Sequence, residues 1–462
     1  MGDLHFDRKM TDAEGLMWRL EKDPHLSSTF ANVTILDKSP DFDVFLRRME
    51  RATYAVPRLR QRVQPAPANI TAPMWVDDPN FDLRYHVRHL ALPKPGTMRQ
   101  LLDLASLMAC DAFDRTRPLW QFVIVDGLRG GKSAVIQKMH HTIVDGEGGV
   151  QLSLQFLDFE REVDELPPID PDVIAAAAEA AAADTPSPDL LRDLLNGSMR
   201  MPIGLLKQVK ELLADPTGIP DAGSAAADTV RGVMQQLGDT ESARSPLWTQ
   251  RSLQRRMEVL RAPFGETRAA AKRLGGTLNT AFLASAAEAA GRYHREMGTP
   301  VDLLRSSMAI STRTEASGAN AFSLARMLVP TGDMPIADRF AAIQEAAGAA
   351  KEASATASLE TLAAVAAALP TSLITRLARQ QAQTVDFATS NVRGAPMAMY
   401  LAGAKLLENY PVGPLGGVAF NLTLLSYNHS LDMGVNIDTV AVADPDLLRV
   451  CLERAFKDLL AA

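Results

Sequence analysis

The chain of 462 residues carries 48 Lys and Arg against 55 Asp and Glu, for a formal net charge of -7. This length exceeds what one ordinary hydrophobic core holds, so we expect two domains, and the acidic balance offers no overall basic surface for nucleic acid. The only cysteines, Cys110 and Cys451, exclude a disulfide framework and a cysteine-based zinc site, which favours a reducing cytoplasm. The sequence has no run of roughly 18 uninterrupted apolar residues, and its first residues do not have the pattern of a signal peptide.

The first third of the chain mixes helical and strand patterns. In chain order these predict a strand, two helices, a two-stranded hairpin and a further helix at 31–36, 42–54, 98–112, 119–125 with 134–139, and 150–159. The hairpin connection is Gly-containing. Gly146, Gly148 and Gly149 predict a tight turn before the last helix.

Two adjacent histidines end the second strand of this hairpin, within His140-His141-Thr142-Ile143-Val144-Asp145-Gly146. Only 8 residues of the chain are His, so this doublet before Asp-Gly is unexpected by chance. An imidazole titrates near neutrality and can take a proton from a hydroxyl or thiol, and the acid four positions later can order the backbone. The motif predicts a general base at a strand end, for which no Ser nucleophile or metal cluster is required.

The segment 166–245 differs in composition, being rich in Ala and Pro, and is predicted to be a helical connector. Pro202 suits the first position of an amphipathic helix that runs to Ala214. Two interpretations of this helix stay open. It packs on the domain surface, or it lies in a lipid interface.

Beyond the connector, helical and strand patterns alternate again. One helix is predicted to follow Phe264 to Thr267 and to end at Leu274, and an Ala-rich helix to follow a cap at Thr277 to Thr280 and to end near Tyr293. Further helices are predicted at 335–353 and 444–461, and strands at 303–312, 327–329 and 416–428. Alternation in both halves predicts an α/β or α+β fold. The predicted organisation is a first domain at 1–165, the connector at 166–245 and a second domain at 246–462.

The chain resembles the bacterial wax ester synthase/acyl-CoA:diacylglycerol acyltransferase family, which is related to chloramphenicol acetyltransferase and to peptide synthetase condensation domains. The resemblance rests on the order and spacing of several elements: Met10 to Glu14 with Trp18 and Glu21, Pro57 to Arg62, Pro73 to Asp82, Asp114 to Trp120, the His140-His141 motif, Ser390 to Pro396, and Ser426 to Asn428 with Gly434 and Asp438.

The resemblance implies two chloramphenicol acetyltransferase-like domains, each a mixed sheet with flanking helices, and an active-site tunnel between them. It implies an O-acyltransferase that moves a long-chain acyl group from acyl-CoA to diacylglycerol or a fatty alcohol, with no cofactor besides this co-substrate. His141 would be the general base, and no acyl-enzyme would form. We expect a cytoplasmic protein with peripheral contact to the inner membrane or lipid inclusions.

The rest of the motif is predicted to support this base. His140 either orients the loop or contacts substrate. Asp145 is expected to pair with Arg313 and to hold the loop in shape, because an unpaired buried charge is costly. Gly146 either allows another group to approach its backbone closely or simply forms part of a turn.

Further candidates lie outside the motif. Asn391 and Ser390 are predicted oxyanion donors, with a purely turn-forming role as the alternative. Asn279 is either a helix N-cap or a substrate contact. Trp75 and Trp120 are expected in the core or tunnel wall, with partners for their indole N–H groups.

The sequence also departs from the family pattern. Thr280 stands where the family has Asp, Arg393 and Ala395 where it has Pro, and His429 where Gly is frequent. Two alternatives to the acyl-CoA enzyme therefore stay open. One is an acyltransferase that takes its acyl group from a carrier protein, and the other is a non-catalytic lipid-binding relative.

Overall fold

The computed structural model describes residues 8–65, 72–144, 146–162, 169–175, 243–311, 322–355, 363 and 371–462. This part of the chain contains two six-stranded sheets and a two-stranded sheet. The strands are β1 Thr29–Leu36, β2 Gln61–Gln64, β3 Met74–Asp77, β4 Val87–Ala91, β5 Trp120–Leu128, β6 Lys132–His140, β7 Arg255–Pro263, β8 Leu303–Ser311, β9 Phe322–Pro330, β10 Phe387–Arg393, β11 Tyr400–Leu401, β12 Ala404–Val412, β13 Phe420–Tyr427 and β14 Ser430–Asp438. The helices are α1 Asp12–Leu20, α2 Phe42–Ala55, α3 Leu83–His86, α4 Met98–Cys110, α5 Gly146–Ser153, α6 Phe264–Arg273, α7 Leu278–Glu296, α8 Ile336–Ala355, α9 Thr371–Ala382 and α10 Pro445–Ala461.

The first large sheet has the order β11-β12-β1-β6-β5-β4. Its pairs are antiparallel except for β4 with β5. Alternate residues of β1 point to opposite faces. Ala31, Val33 and Ile35 are buried in a cluster that includes Leu101 of α4, so α4 covers one face. The other face carries the remaining β1 side chains, of which Asn32 and Thr34 line a cavity together with Ala395 and Tyr427.

The second large sheet has the order β7-β14-β13-β10-β8-β9, with β10 parallel to both of its neighbours. The Ala-rich helix α7 is buried along most of its length and packs against α10. Small side chains allow this close helix contact. Asp444 caps α10 by accepting a hydrogen bond from Leu447 N, and Pro445 occupies the first turn.

Strand β12 links the two halves, because it lies late in the chain yet pairs with β1 of the first sheet, with Asn409 opposite Thr34. It also crosses β14 closely. A Cβ atom on Gly434 would lie 2.1 Å from the Pro411 carbonyl oxygen, so only glycine fits there. The Asn409 N–H donates to Asp432 Oδ2 over 2.7 Å. The predicted second domain, 246–462, therefore contributes two strands, β11 and β12, to the sheet of the first.

The structure confirms the predicted α/β class and two-sheet architecture. It also bears out the predicted helices and strands within the described residues, with shifted ends, except for one. The helix predicted at 150–159 is wrong in its bounds, since α5 begins at Gly146 and ends at Ser153. The helix predicted at 202–214 lies outside the described residues.

Candidate active site at the end of strand β6

His141 follows the last residue of β6 and lies on the same sheet face as Phe30 and Asn32. Its backbone N–H donates to the Ser28 carbonyl over 3.1 Å. Its ring packs against Phe30, with ring centroids 4.7 Å apart. Phe30 pairs with Met139 in the β1–β6 ladder, so the two share one face, and His141 continues it two residues later. Both backbone and ring of His141 are thus held by β1 and the turn before it.

His140 lies on the opposite face and is 1% exposed. Its Nδ1 accepts a hydrogen bond from the Thr142 N–H over 3.2 Å and lies 2.8 Å from Thr142 Oγ1. Since a backbone N–H needs a lone pair at Nδ1, the neutral ring carries its proton on Nε2, which lies 3.0 Å from Glu21 Oε2. Both ring nitrogens are therefore engaged within the chain, which favours a positioning role for His140 over substrate contact.

Glu21 connects the histidine doublet to the turn before β1. It accepts hydrogen bonds from Ser27 Oγ over 2.6 Å and from Ser28 N over 2.8 Å. Burial alone would raise the pKa of Glu21, but the hydrogen bond and charge of His140, with the bonds from both serines, hold that pKa below its ordinary value. Because the carbonyl of Ser28 accepts the N–H of His141, Glu21 braces both histidines.

The sequence predicted no role for Glu21, which is only one of the residues that carry the family resemblance. One local signal was present. Glu21 is the C-cap residue of α1, and an acidic side chain is disfavoured at the negative end of a helix dipole. Such a placement indicates a requirement from elsewhere in the fold.

Two predicted partners lie outside the described residues, namely Asp145 and Arg313, so their ion pair stays a prediction. Gly146 is the first residue of α5. The helix thus starts at the last residue of the motif, rather than after a glycine-rich turn.

Ser390 and Asn391 lie in strand β10, opposite Thr423 and Leu424 of β13. The turn-forming alternative for these two residues is therefore wrong. Asn391 is exposed and Ser390 is half-buried. Helix α5 packs against β10, which brings this strand next to the helix that follows the histidine motif. Beyond β10, a Cβ on Gly394 would lie 2.5 Å from the Ser426 carbonyl oxygen, so the loop there needs glycine.

Asn279 does not cap a helix. The N-cap of α7 is Thr277, whose hydroxyl accepts a hydrogen bond from Thr280 N over 3.2 Å. Asn279 instead directs its amide to Met308 Sδ in β8, at 2.9 Å. The N-cap prediction for Asn279 is wrong, and its contact joins α7 to β8 of the second sheet.

The sequence and fold agree on a family. The sequence model described as the wax ester synthase/diacylglycerol acyltransferase catalytic domain matches residues 10–282, and the C-terminal domain of the same family matches 318–460. The chain belongs to the wax ester synthase/diacylglycerol acyltransferase family. It is an acyltransferase, as the sequence predicted.

Curated relatives agree with this family assignment. The chain is 32% identical over 457 residues to Rv2484c of Mycobacterium tuberculosis, a protein provisionally named a diacylglycerol O-acyltransferase, with 96% of this chain and 90% of the relative covered. It is 29% identical to Rv3087 of the same organism, provisionally named likewise, with 98% and 97% covered.

Solved structures support the fold. The wax ester synthase/diacylglycerol acyltransferase from Marinobacter aquaeolei VT8 has a TM-score of 0.66 at 22% identity, with 98% of both chains covered. The first condensation domain of the CDA synthetase has a TM-score of 0.61 at 15% identity, with 98% of this chain and 95% of that chain covered.

Two positions where this family member departs from the usual pattern have a visible structural setting. His429 closes the β13–β14 hairpin with a φ of 66°, a left-handed conformation that glycine adopts more readily. Thr280, in place of an acid, hydrogen-bonds through Oγ1 to Gln344 Oε1 over 3.2 Å. Within the described part of the chain, neither residue has a hydrogen bond or ring contact with the histidine motif.

The two tryptophans are fully buried, as expected for core or wall residues. Trp120 Nε1 donates to the Leu59 carbonyl over 2.8 Å. Trp75 Nε1 has no acceptor among the described residues, so the prediction of an indole partner is wrong there. The guanidinium of Arg58 lies over the Trp75 ring, 4.3 Å from its centroid.

Within the described ranges, no three His, Cys, Asp or Glu side chains come close enough together to hold a metal ion. The same part of the chain has no helix with the length and apolar character needed to cross a bilayer.

Proposed function

We propose that this protein transfers a long-chain acyl group from acyl-CoA to the hydroxyl of diacylglycerol or of a long-chain alcohol. His141 takes the hydroxyl proton while the oxygen attacks the thioester carbonyl. The carbon–sulfur bond then breaks, and the imidazolium returns the proton to the CoA thiolate. The product is triacylglycerol or a wax ester, and no acyl-enzyme and no further cofactor are needed.

The observation that carries this proposal is the setting of His141. Its backbone is fixed by Ser28 and its ring by Phe30, on the sheet face where Asn32 and Thr34 line a cavity together with residues of the second half. A base held in this way can act repeatedly on a hydroxyl delivered between the two sheets, and positioned proton transfer contributes about 100- to 10,000-fold. The relatives named as diacylglycerol O-acyltransferases support the same acceptor class.

The remaining roles are part of the proposal. Ser390 and Asn391 donate to the developing oxyanion from β10, beside α5. Asp145 pairs with Arg313 and fixes the loop after His141. The enzyme works in the cytoplasm at a lipid surface, because its acceptors partition into lipid, and vesicle co-flotation tests this location.

Thiol release from palmitoyl-CoA, measured with diolein or hexadecanol, tests the activity. The substitution His141→Ala should lower kcat/KM by about 100-fold or more. His89→Ala is the matched control, since His89 is a partly exposed histidine of β4 that contacts Asp126, and it should retain wild-type turnover.

Three results would contradict the proposal. Thiol release that depends on neither acceptor excludes this O-acyl transfer. Full turnover by His141→Ala excludes the mechanism. Turnover with acylated carrier protein but not with CoA esters replaces the donor.

A further inference from the structure

A cavity of about 50 Å³ lies between the first sheet, α5 and the loop after β10. Its walls are largely apolar, as expected for a site that accepts lipid. One side differs, because β1, β6 and β12 contribute four neutral polar side chains: Asn32, Thr34, Gln137 and Asn409. We call these four residues the polar floor.

Three members of the polar floor form a closed triangle of hydrogen bonds. Asn32 Nδ2 donates to Asn409 Oδ1 over 2.6 Å and to Thr34 Oγ1 over 3.0 Å. Thr34 Oγ1 in turn donates to Asn409 Oδ1 over 2.9 Å. The triangle fixes both amides in orientation, so that their remaining polar groups are preset.

The triangle leaves hydrogen-bonding capacity unused. Among the described residues, no partner is recorded for Asn32 Oδ1, for Asn409 Nδ2 or for the amide of Gln137. Gln137 stands opposite Asn32 in the β1–β6 ladder, so these groups occupy one patch of the sheet. The patch offers an acceptor, a donor and an amide that supplies both.

The polar floor lies on the same sheet face as His141. Phe30 contacts the His141 ring, and Asn32 follows Phe30 by two residues, which is about 7 Å along a strand. A molecule that presents its hydroxyl to His141 can thus reach the polar floor with groups a few bonds away.

We propose that the polar floor binds the ester-bearing glyceryl portion of the acceptor, and so selects diacylglycerol over alcohols that carry a single hydroxyl. An acyl chain in this place would leave Asn32 Oδ1, Asn409 Nδ2 and the Gln137 amide without partners, which is unfavourable in a closed site. Ester carbonyls accept hydrogen bonds from Asn409 Nδ2 and Gln137. This inference rests on the proposed function and specifies its acceptor.

Gln137→Met is the sharpest test, because Met has a similar shape to Gln but lacks the amide. The Gln137 side chain has no hydrogen bond among the described residues, so the substitution breaks none. The kcat/KM for diolein should fall about tenfold, the usual order for one lost substrate hydrogen bond, while that for hexadecanol stays within about twofold. Asn32→Leu should shift the preference in the same direction.

The chain offers a matched control in β13. Asn421 and Thr423 repeat the Asn-x-Thr spacing of Asn32 and Thr34, with a hydrogen bond of 3.2 Å between their side chains. Asn421 Nδ2 is already bonded to the Pro414 carbonyl, at 2.6 Å. Asn421→Leu should therefore leave the ratio of the two acceptors unchanged, whatever it does to stability.

A dialkyl ether analogue of diolein has the same size but lacks the ester carbonyls. It therefore separates recognition of the carbonyls from recognition of the size of the acceptor. Wild-type enzyme should acylate the dialkyl ether about tenfold less efficiently than diolein, and Gln137→Met should remove this difference. Parallel loss of both acceptors in Gln137→Met, or an unchanged ratio, overturns the inference. If the wild-type enzyme acylates hexadecanol but not diolein, the inference about the polar floor is overturned, while the proposed acyl transfer still stands. If it acylates neither acceptor, both the inference and the proposed function are refuted.

Discussion

Glu21 provides a direct test of how the histidine doublet is held. The substitution Glu21→Gln keeps the shape of the side chain and removes its charge. An amide oxygen can still accept from His140 Nε2 and Ser28 N, and the new NH₂ group can donate to Ser27 Oγ. The change therefore probes the charge of Glu21 rather than its size.

The magnitude follows from the number of charged hydrogen bonds. Bonds to a charged group contribute about 1.5–3 kcal/mol each, against about 0.5–1.5 kcal/mol for neutral ones. Glu21 Oε2 accepts two bonds, from His140 and Ser28, and its side chain is only 15% exposed. Losing charge assistance at both should cost about 2–3 kcal/mol of unfolding free energy.

The catalytic consequence should exceed what stability explains. Loosening Ser28 shifts the carbonyl that holds His141, and small displacements of a catalytic group cost about ten- to hundredfold in rate. We expect kcat to fall by this factor, with KM for both substrates nearly unchanged. Acyl transfer is measured by thiol release well below the unfolding temperature.

Asp23→Asn is the control, since Asp23 lies two residues away and accepts the His25 N–H over 3.0 Å. It should leave kcat unchanged. Wild-type kcat in Glu21→Gln, together with a lower unfolding free energy, would refute the positioning role and leave Glu21 as a purely structural residue.

The pH dependence has a defined sign. Because the pKa of Glu21 is lowered in the folded chain, its contribution to stability is complete above the ordinary glutamate value of about 4.3 and is lost as pH falls through the folded value. The stability difference between wild type and Glu21→Gln should therefore close below about pH 4.

Two further predictions concern the fold around the site. Burial lowers the pKa of His86 to about 4, against the opposing hydrogen bond to the Trp120 carbonyl, so stability should fall by about 3 kcal/mol as pH drops from about 6.5 to 4. Denaturant unfolding should show a flatter pH profile for His86→Phe, and an equally steep one would contradict this assignment. Gly434→Ala should destabilise the chain by about 3 kcal/mol or more, because its Cβ would meet the Pro411 carbonyl oxygen at 2.1 Å. Gly265→Ala, whose Cβ meets nothing within 4 Å, should be neutral or stabilising by up to about 1 kcal/mol.

The elements predicted from local patterns mostly fit the structure, because periodicity is a property of short segments. The β5–β6 hairpin and α10 with its Asp444 cap are examples. Helix α5 was misplaced because glycine has a low helix propensity. Leu152 of α5 is buried in the core beside the first sheet, and this burial outweighs that propensity, so the helix starts at Gly146.

Prediction also failed where two residues compete for one role. Thr277 and Asn279 are both good N-cap residues, and composition does not choose between them. The structure assigns the cap to Thr277, which has the extended backbone that a cap requires. Likewise Ser390 and Asn391 favour turns in isolation, yet pairing with β13 and β8 holds their segment as a strand.

The position of β12 lay beyond any local pattern, and it bears most on the candidate acceptor site. The hydrogen bond from Asn32 Nδ2 to Asn409 Oδ1 joins residues 377 positions apart, so no window of sequence connects them. Asn409 enters the polar floor only because β12 leaves the second half of the chain and pairs with β1. Asp432 and the cleared space at Gly434 hold β12 in that place. The strand that joins the two sheets thus also completes the polar floor, so Gly434→Ala should change acceptor preference as well as stability.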